Sequence, residues 1–177
     1  MKLRSETNCE NFLGLALVIA GVLMRLAPHP ANFTPLAAIA LFSGVVLAPR
    51  IALFLPPIIM IASDLIIGPH ALYPLTWGSF FLVSLLGLAI RDNAKVRWLF
   101  LGTLGGSLLF FVITNLGVFF FQNMYEKSWQ GLAQCYLMAL PFFRNSLLGD
   151  LFYSVLLFGA FAVVKNYFKQ LASQKIC

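Results

Sequence analysis

Charged residues are scarce in this chain. Asp, Glu, Lys and Arg make up 10% of its 177 residues and hydrophobic residues 60%, whereas a typical soluble domain has roughly 25% charged residues. This composition excludes a water-soluble enzyme, a disordered chain and a basic nucleic-acid-binding protein. It indicates a small integral membrane protein. At about 20 residues per spanning helix, the length allows about six crossings and leaves no room for a separate soluble domain.

Cysteines and catalytic motifs are also sparse. Cys9, Cys135 and Cys177 are far apart and form no C-x-x-C pair, which argues against a metal site and a disulfide framework. The chain has no G-x-S-x-G, no H-E-x-x-H and no phosphate-binding Gly-Lys-Ser/Thr loop. His29 and His70 lack a neighbouring cysteine or carboxylate cluster. We therefore expect no enzymatic activity, no metal site and no resident cofactor.

Six apolar stretches predict six membrane-spanning helices in a single domain over residues 1–177. None shows the alternation of a strand, and an open strand edge cannot satisfy its backbone polar groups in lipid. The predicted fold is an all-α membrane protein, a six-helix bundle with spans at 11–26, 33–48, 51–67, 74–90, 98–121 and 142–164. Residues 122–141 are expected to form a loop between the last two spans.

Basic residues alternate between the predicted connections. With a cytoplasmic N-terminus, three of them lie outside (Arg25, Lys127 and Arg144). Nine lie inside: Lys2, Arg4, Arg50, Arg91, Lys95, Arg97, Lys165, Lys169 and Lys175. The positive-inside rule then predicts that both termini are cytoplasmic. The first span is expected to be retained, because Arg25 occupies the place where small residues precede a signal-peptide cleavage site.

Polar side chains gather at the opposite, outer ends of the spans. Ionisable groups at membrane depth cost about 2.5–3.5 kcal/mol each on insertion scales and usually face a bundle interior or a cavity. We therefore predict an outward-facing ligand cavity lined by Arg25, His29, Asn32, Asp64, His70, Asn115, Arg144, Asn145 and Asp150. The alternative is structural pairing across helices, because the two arginines and two aspartates of this set sum to zero charge. Both histidines are either ligand contacts or ordinary loop residues.

Small residues in the first span form a second feature. Ala16 and Ala20 have small-xxx-small spacing, with Gly14 and Gly21 nearby, which permits close helix contact. The pattern is compatible with packing inside the bundle or with docking of another membrane protein.

Four segments carry a family resemblance: 25–38 (RLAPHPANFTPLAA), 63–64 (SD), 114–118 (TNLGV) and 139–150 (ALPFFRNSLLGD). They resemble an uncharacterised bacterial family of candidate transport proteins. That family in turn is similar to the substrate-binding S components of energy-coupling-factor (ECF) vitamin transporters. The resemblance implies a six-helix bundle that binds a vitamin near the outer surface. It also implies that Ala16 and Ala20 dock a transmembrane coupling subunit with its ATPases.

Some similar proteins take up cobalamin without a coupling subunit, and in them a cysteine in an outer loop can contact the corrinoid cobalt. This chain has no cysteine in the corresponding loop, and His70 is the only substitute. The sequence thus predicts a binding or transport protein of the bacterial inner membrane for a vitamin or related micronutrient, with a corrinoid as one option. The alternative is a structural or assembly subunit of a larger membrane complex without a ligand of its own.

Overall fold

The computed structural model describes residues 2–68 and 71–174, with side chains for 11–68, 71–167 and 170. Within these ranges the chain is helical and contains no strand, as the sequence predicts. The helices are α1 (Lys2–Leu26), α2 (Leu36–Val46), α3 (Pro49–Ile67), α4 (Tyr73–Ile90), α5 (Val96–Phe121) and α6 (Trp129–Gln174). A single 3₁₀ turn, Arg91–Asn93, joins α4 to α5.

Four stretches of the described chain are long and apolar enough to cross a membrane. They are Pro49–Ile67, Tyr73–Asn93, Val96–Phe121 and Trp129–Tyr167. Two apolar helical stretches, Asn11–Leu26 and Leu36–Val46, are shorter. At about 1.5 Å per residue, α2 measures roughly 17 Å against a hydrocarbon core of roughly 30 Å. The structure therefore supports at least four spans by length and composition, and the count of six remains a prediction.

The short helix α2 forms the centre of the bundle. It packs against all five other helices, and nine of its eleven residues are buried. Ile39 and Leu41 are among the most completely buried side chains and join Ile59 of α3 and Val83 of α4 in one core. A helix that is apolar on every side belongs in the interior of a helical protein, which explains why the least polar helix is the central one.

Two glycines allow α2 and α4 to cross at backbone contact. A Cβ atom at Gly44 would lie 2.3 Å from the Ser84 carbonyl oxygen, and one at Gly87 would lie 2.5 Å from the Leu41 carbonyl oxygen. The Cα atom of each glycine faces the other across the crossing. No larger residue fits either position without moving the helices apart.

The last helix begins earlier than the sequence predicts. It starts at Trp129 rather than at residue 142, so most of the expected loop is helical. Pro141 lies inside the helix, although proline is most common at the first position of a helix. The added segment packs on α5, where the Tyr136 hydroxyl donates to the Val112 carbonyl over 2.9 Å and the Cys135 thiol lies 3.5 Å from the Asn115 carbonyl.

The two ends of the bundle differ in chemistry. We use the name polar end for the end of the bundle where the α1–α2, α3–α4 and α5–α6 connections meet. There the Asn145 side chain on α6 donates to the Ala31 carbonyl over 3.1 Å. At the opposite end, the Arg91 guanidinium donates to the Leu47 carbonyl over 2.8 Å and so closes the C-terminus of α2. Arg50, Lys95 and Arg97 accompany Arg91 at that opposite end.

Candidate functional site

A cavity of about 410 Å³ opens at the polar end of the bundle. Small-molecule sites in proteins typically measure roughly 300–1,000 Å³ and combine apolar walls with a few polar groups. The walls here follow that composition. They come from every helix and from the α1–α2 connection: Arg25, His29, Asn32, Thr34, Leu36, Ala37, Met60, Ile67, Thr76, Phe80, Phe110, Ser146 and Asp150.

A second cavity of about 220 Å³ adjoins the first. The two share four wall residues: Asn32, Thr76, Phe110 and Ser146. The second cavity adds Thr114 and Asn115 from α5 and an aromatic wall of Phe111, Phe142 and Phe143. The Asn115 side-chain amide nitrogen donates a hydrogen bond of 2.7 Å to the Phe111 carbonyl of the same helix. The polar end therefore offers a larger chamber and a smaller aromatic annex.

Arg25 is held in place by a network that joins three helices. Its Nη1 atom donates to Asp64 Oδ1 over 2.7 Å and also to the Ser63 hydroxyl. The other Asp64 oxygen accepts the indole N–H of Trp77 on α4 over 2.9 Å. Arg25 is 14% exposed and Asp64 7%, so solvent screens this ion pair weakly. The network fixes a cation in the cavity wall and neutralises it with a carboxylate behind it.

Asp150 on α6 supplies the second charge of the cavity wall. The carboxylate is 5% exposed, and its Oδ2 atom accepts a hydrogen bond of 2.6 Å from the Ser107 hydroxyl on α5. One turn further along, Thr103 donates to Ser154 over 3.1 Å. No described side-chain nitrogen or oxygen is both fully buried and without a partner. The second oxygen of Asp150 is therefore not sealed from solvent, and Asp150 is one of the residues that line the cavity.

The α1–α2 connection forms the rim of the cavity. Asn32 has a positive φ of 62°, a backbone conformation that asparagine tolerates better than most residues. The His29 ring nitrogen Nδ1 lies 2.9 Å from the Pro30 carbonyl. The Asn145 bond to Ala31 ties the rim to α6. This connection is thus shaped by local hydrogen bonds and presents His29, Asn32 and Thr34 to the cavity.

Two phenylalanines form the aromatic part of the main cavity. The rings of Phe80 on α4 and Phe110 on α5 stack with centroids 4.8 Å apart and an interplanar angle of 23°. Both rings line the same cavity as Asp150. Aromatic faces carry negative charge density, so they accept flat rings and cations.

Comparison with protein families identifies one match over residues 5–171, to a family of unknown function termed DUF6580. The chain belongs to this family. No characterised protein and no solved structure matches the chain. The function of this DUF6580 protein must therefore be argued from the site itself.

The structure separates the nine predicted binding residues into groups. Five line the two cavities: Arg25, His29, Asn32, Asn115 and Asp150. Asp64 lies directly behind Arg25, and Asn145 holds the rim. Arg144 is exposed and lines neither cavity, because it points away from the face of α6 that carries Asp150. His70 lies outside the described residues.

Several wall residues were absent from the predicted set. Ser146 lies four residues before Asp150, so both fall on one face of α6. Ser107, the hydrogen-bond partner of Asp150, follows Gly105 and Gly106 in α5. The helical repeat around Asp150 was the available signal for Ser146, whereas Ser107 lies on a different helix from every charged residue of the predicted set and had no such signal. Phe80 and Phe110 gave no signal, because phenylalanines occur throughout the apolar spans.

The small residues of α1 divide between two faces. Gly14 and Gly21 are buried against α3, where Cβ atoms would contact Ile51 and Ile59. Ala16 and Ala20 are exposed on the opposite side of the helix. Packing inside the bundle therefore uses the glycines and leaves the two alanines uncovered.

Among the described residues, no group of three His, Cys, Asp or Glu side chains comes together as a metal site would require.

Proposed function

We propose that this protein binds a vitamin or related small micronutrient on the periplasmic side of the bacterial inner membrane and functions in its uptake. In this proposal it acts as an S-component-like subunit. One observation carries the proposal: the cavity at the polar end, with Arg25 and Asp150 in a wall of mixed polar and apolar side chains. A purely structural bundle has no need for an open chamber lined by ionisable groups at membrane depth.

The membrane arrangement that we propose has six spans and two cytoplasmic termini. The outward face of the helices is rich in large apolar side chains, including Phe54, Leu65 and Phe152, which suits contact with lipid. Because α2 is enclosed by other helices, its short length need not match the bilayer. The basic residues at the end opposite the cavity favour a cytoplasmic location for that end, which leaves the cavity facing the periplasm.

The size of the cavity favours a compact ligand. The larger chamber measures about 410 Å³ and its annex about 220 Å³. A corrinoid, with its macrocycle and nucleotide loop, is larger than both chambers together. We therefore favour a vitamin with one or two small rings over the corrinoid option.

Energy coupling in this proposal comes through α1. Ala16 and Ala20 lie exposed on one face, with Leu15, Ile19 and Leu23 alongside. Small residues permit close approach of another transmembrane helix. We propose that this face docks a membrane coupling subunit that works with ATPases.

The competing function is a structural or assembly subunit. The network around Arg25 favours it, because Nη1 of this cation already donates to Ser63 and Asp64, and Trp77 donates to the other Asp64 oxygen, without any ligand. Such a network locks α1, α3 and α4 together whether or not the cavity is ever filled. The two functions differ in whether a small molecule stabilises the protein.

Thermal unfolding of the purified protein with a panel of B vitamins tests the proposal. A ligand that binds only the folded state raises the melting temperature in proportion to the logarithm of its concentration above Kd. Thr34→Trp, at the cavity wall, should abolish the shift by filling the chamber. The matched control is Ala160→Trp, at an exposed position on α6. A ligand-induced shift that persists in Thr34→Trp contradicts binding in this cavity.

A further inference from the structure

The charges around the main cavity do not balance. Arg25 is the cation of its wall, and Asp64 directly behind it neutralises that cation at 2.7 Å. Asp150 is the carboxylate of the wall. With the Arg25–Asp64 pair counted as neutral, Asp150 is the carboxyl group of the described wall that has no charged partner.

Asp150 has no cationic partner in the described part of the chain. The Arg25–Asp64 pair is the ion pair found among the described side chains, and Asp150 receives a single hydrogen bond, from the Ser107 hydroxyl. A carboxylate that is 5% exposed is costly to keep charged without a counter-ion. Asp150 lines the cavity, so a cationic molecule in the cavity would supply the counter-ion that favours the ionised form of this carboxyl group.

The aromatic part of the same wall suits a cation as well. Phe80 and Phe110 present a stacked pair of rings with centroids 4.8 Å apart, and both line the chamber that contains Asp150. Aromatic faces attract cations within about 6 Å of the ring centroid, more strongly where water is excluded. A carboxylate and an aromatic pair together recognise a positively charged nitrogen attached to a small ring or short apolar body.

We infer that the ligand of this cavity is cationic: a small molecule with a protonated amine or positively charged ring nitrogen directed at Asp150. The inference rests on the proposed binding function and names its substrate class. It gives Arg25 a positioning role, since its charge is already used by Asp64. A ligand carboxylate or phosphate would instead disfavour ionisation of Asp150, because it would bring a like charge next to this carboxyl group.

Three matched probes separate charge from shape. Benzylammonium, benzyl alcohol and benzoate share one ring and differ in the charge of the substituent. Their binding to the full-length protein in lipid nanodiscs is measured by calorimetry and thermal shift. The variants are Asp150→Asn, which keeps an acceptor for the Ser107 hydroxyl, and Asp92→Asn, an identical change at an exposed position at the other end of the bundle.

The inference predicts that benzylammonium binds the wild type at least tenfold more tightly than benzyl alcohol, with benzoate weakest. Asp150→Asn should remove that preference, and Asp92→Asn should keep it. Equal or tighter binding of benzyl alcohol or benzoate, unchanged in Asp150→Asn, overturns the cationic class and leaves the binding function standing. Failure of all three probes, together with no vitamin-induced thermal shift in the wild type, overturns both.

Discussion

At the scale of single residues, the polar groups at one end of this bundle fall into two kinds. Arg25 and Asp64 satisfy each other across helices, with Trp77 on the remaining carboxylate oxygen. Asp150 has only a neutral hydroxyl, that of Ser107, as its described partner. The first kind joins three helices, and the second lines the cavity, where we propose that it contacts a ligand. Both alternatives raised by the sequence, structural pairing and cavity lining, therefore occur side by side.

The Arg25–Asp64 pair should contribute to the free energy of unfolding through the interaction between the two residues rather than through either residue alone. Removing one member of a buried pair leaves an unpaired charge and typically costs about 3–5 kcal/mol. We expect Arg25→Ala and Asp64→Ala each to lower the free energy of unfolding by about this amount, and the double variant to cost far less than the sum. Denaturant unfolding in detergent measures all four proteins. Strictly additive losses would contradict a direct interaction.

The sequence predicted the polar residues better than their roles. Arg25, His29, Asn32, Asn115 and Asp150 could be found because ionisable and amide groups are rare in apolar spans. The exposure of Arg144 could not be predicted, because that depends on the rotation of α6 against α5. The helical repeat places Arg144 and Asp150 about 120° apart around the helix axis. Which of the two side chains faces the bundle is decided by tertiary packing.

At the scale of helices, the crossing of α2 and α4 depends on Gly44 and Gly87. We expect Gly87→Ala to destabilise the protein by about 1–3 kcal/mol or more, because its methyl group would meet the Leu41 carbonyl at 2.5 Å. Gly159→Ala on α6 is the matched control, since nothing lies within 4 Å of its Cβ position. Alanine is the better helix former by about 0.5–1 kcal/mol, so the control should be neutral or slightly stabilised. Equal stability of both variants in thermal unfolding would contradict the close crossing.

The early start of α6 has its own consequence in solution. Amide protons of residues 130–140 should exchange slowly, because this segment is helical and packed on α5 through Tyr136. Residues 122–128, which connect the two helices, should exchange quickly. Hydrogen–deuterium exchange with mass spectrometry measures both segments in one experiment. Fast exchange throughout 122–141 would restore the loop that the sequence predicts.

The helices were largely predictable, and their ends agree with the predicted spans to within three residues except at the start of α1 and at both ends of α6. Apolar runs of the right length marked all six helices, and the charged connections separated them. The beginning of α6 was misplaced, because the predicted span starts at residue 142 whereas the helix continues back through Pro141 to Trp129. The central position of α2 was not predicted either, since composition shows that a helix is apolar without showing which helices surround it.

At the scale of the whole molecule, the six-span arrangement makes a prediction about sidedness. In a background with all three cysteines replaced by alanine, Asn123→Cys at the polar end should react with a membrane-impermeant maleimide from the periplasm. Ala94→Cys at the opposite end should react only after the membrane is permeabilised. Both positions are exposed. The reverse pattern would overturn the orientation, and labelling of both from one side would overturn the number of spans.

The central claim is that the cavity at the polar end holds a small molecule. Native mass spectrometry of the gently solubilised protein, with identification of any released compound, tests it most directly. We predict one small molecule per chain in the wild type and in Ala160→Trp, and its loss in Thr34→Trp. A wild-type protein that carries nothing after growth in vitamin-rich medium, or equal occupancy in Thr34→Trp, would contradict the account and favour a structural subunit.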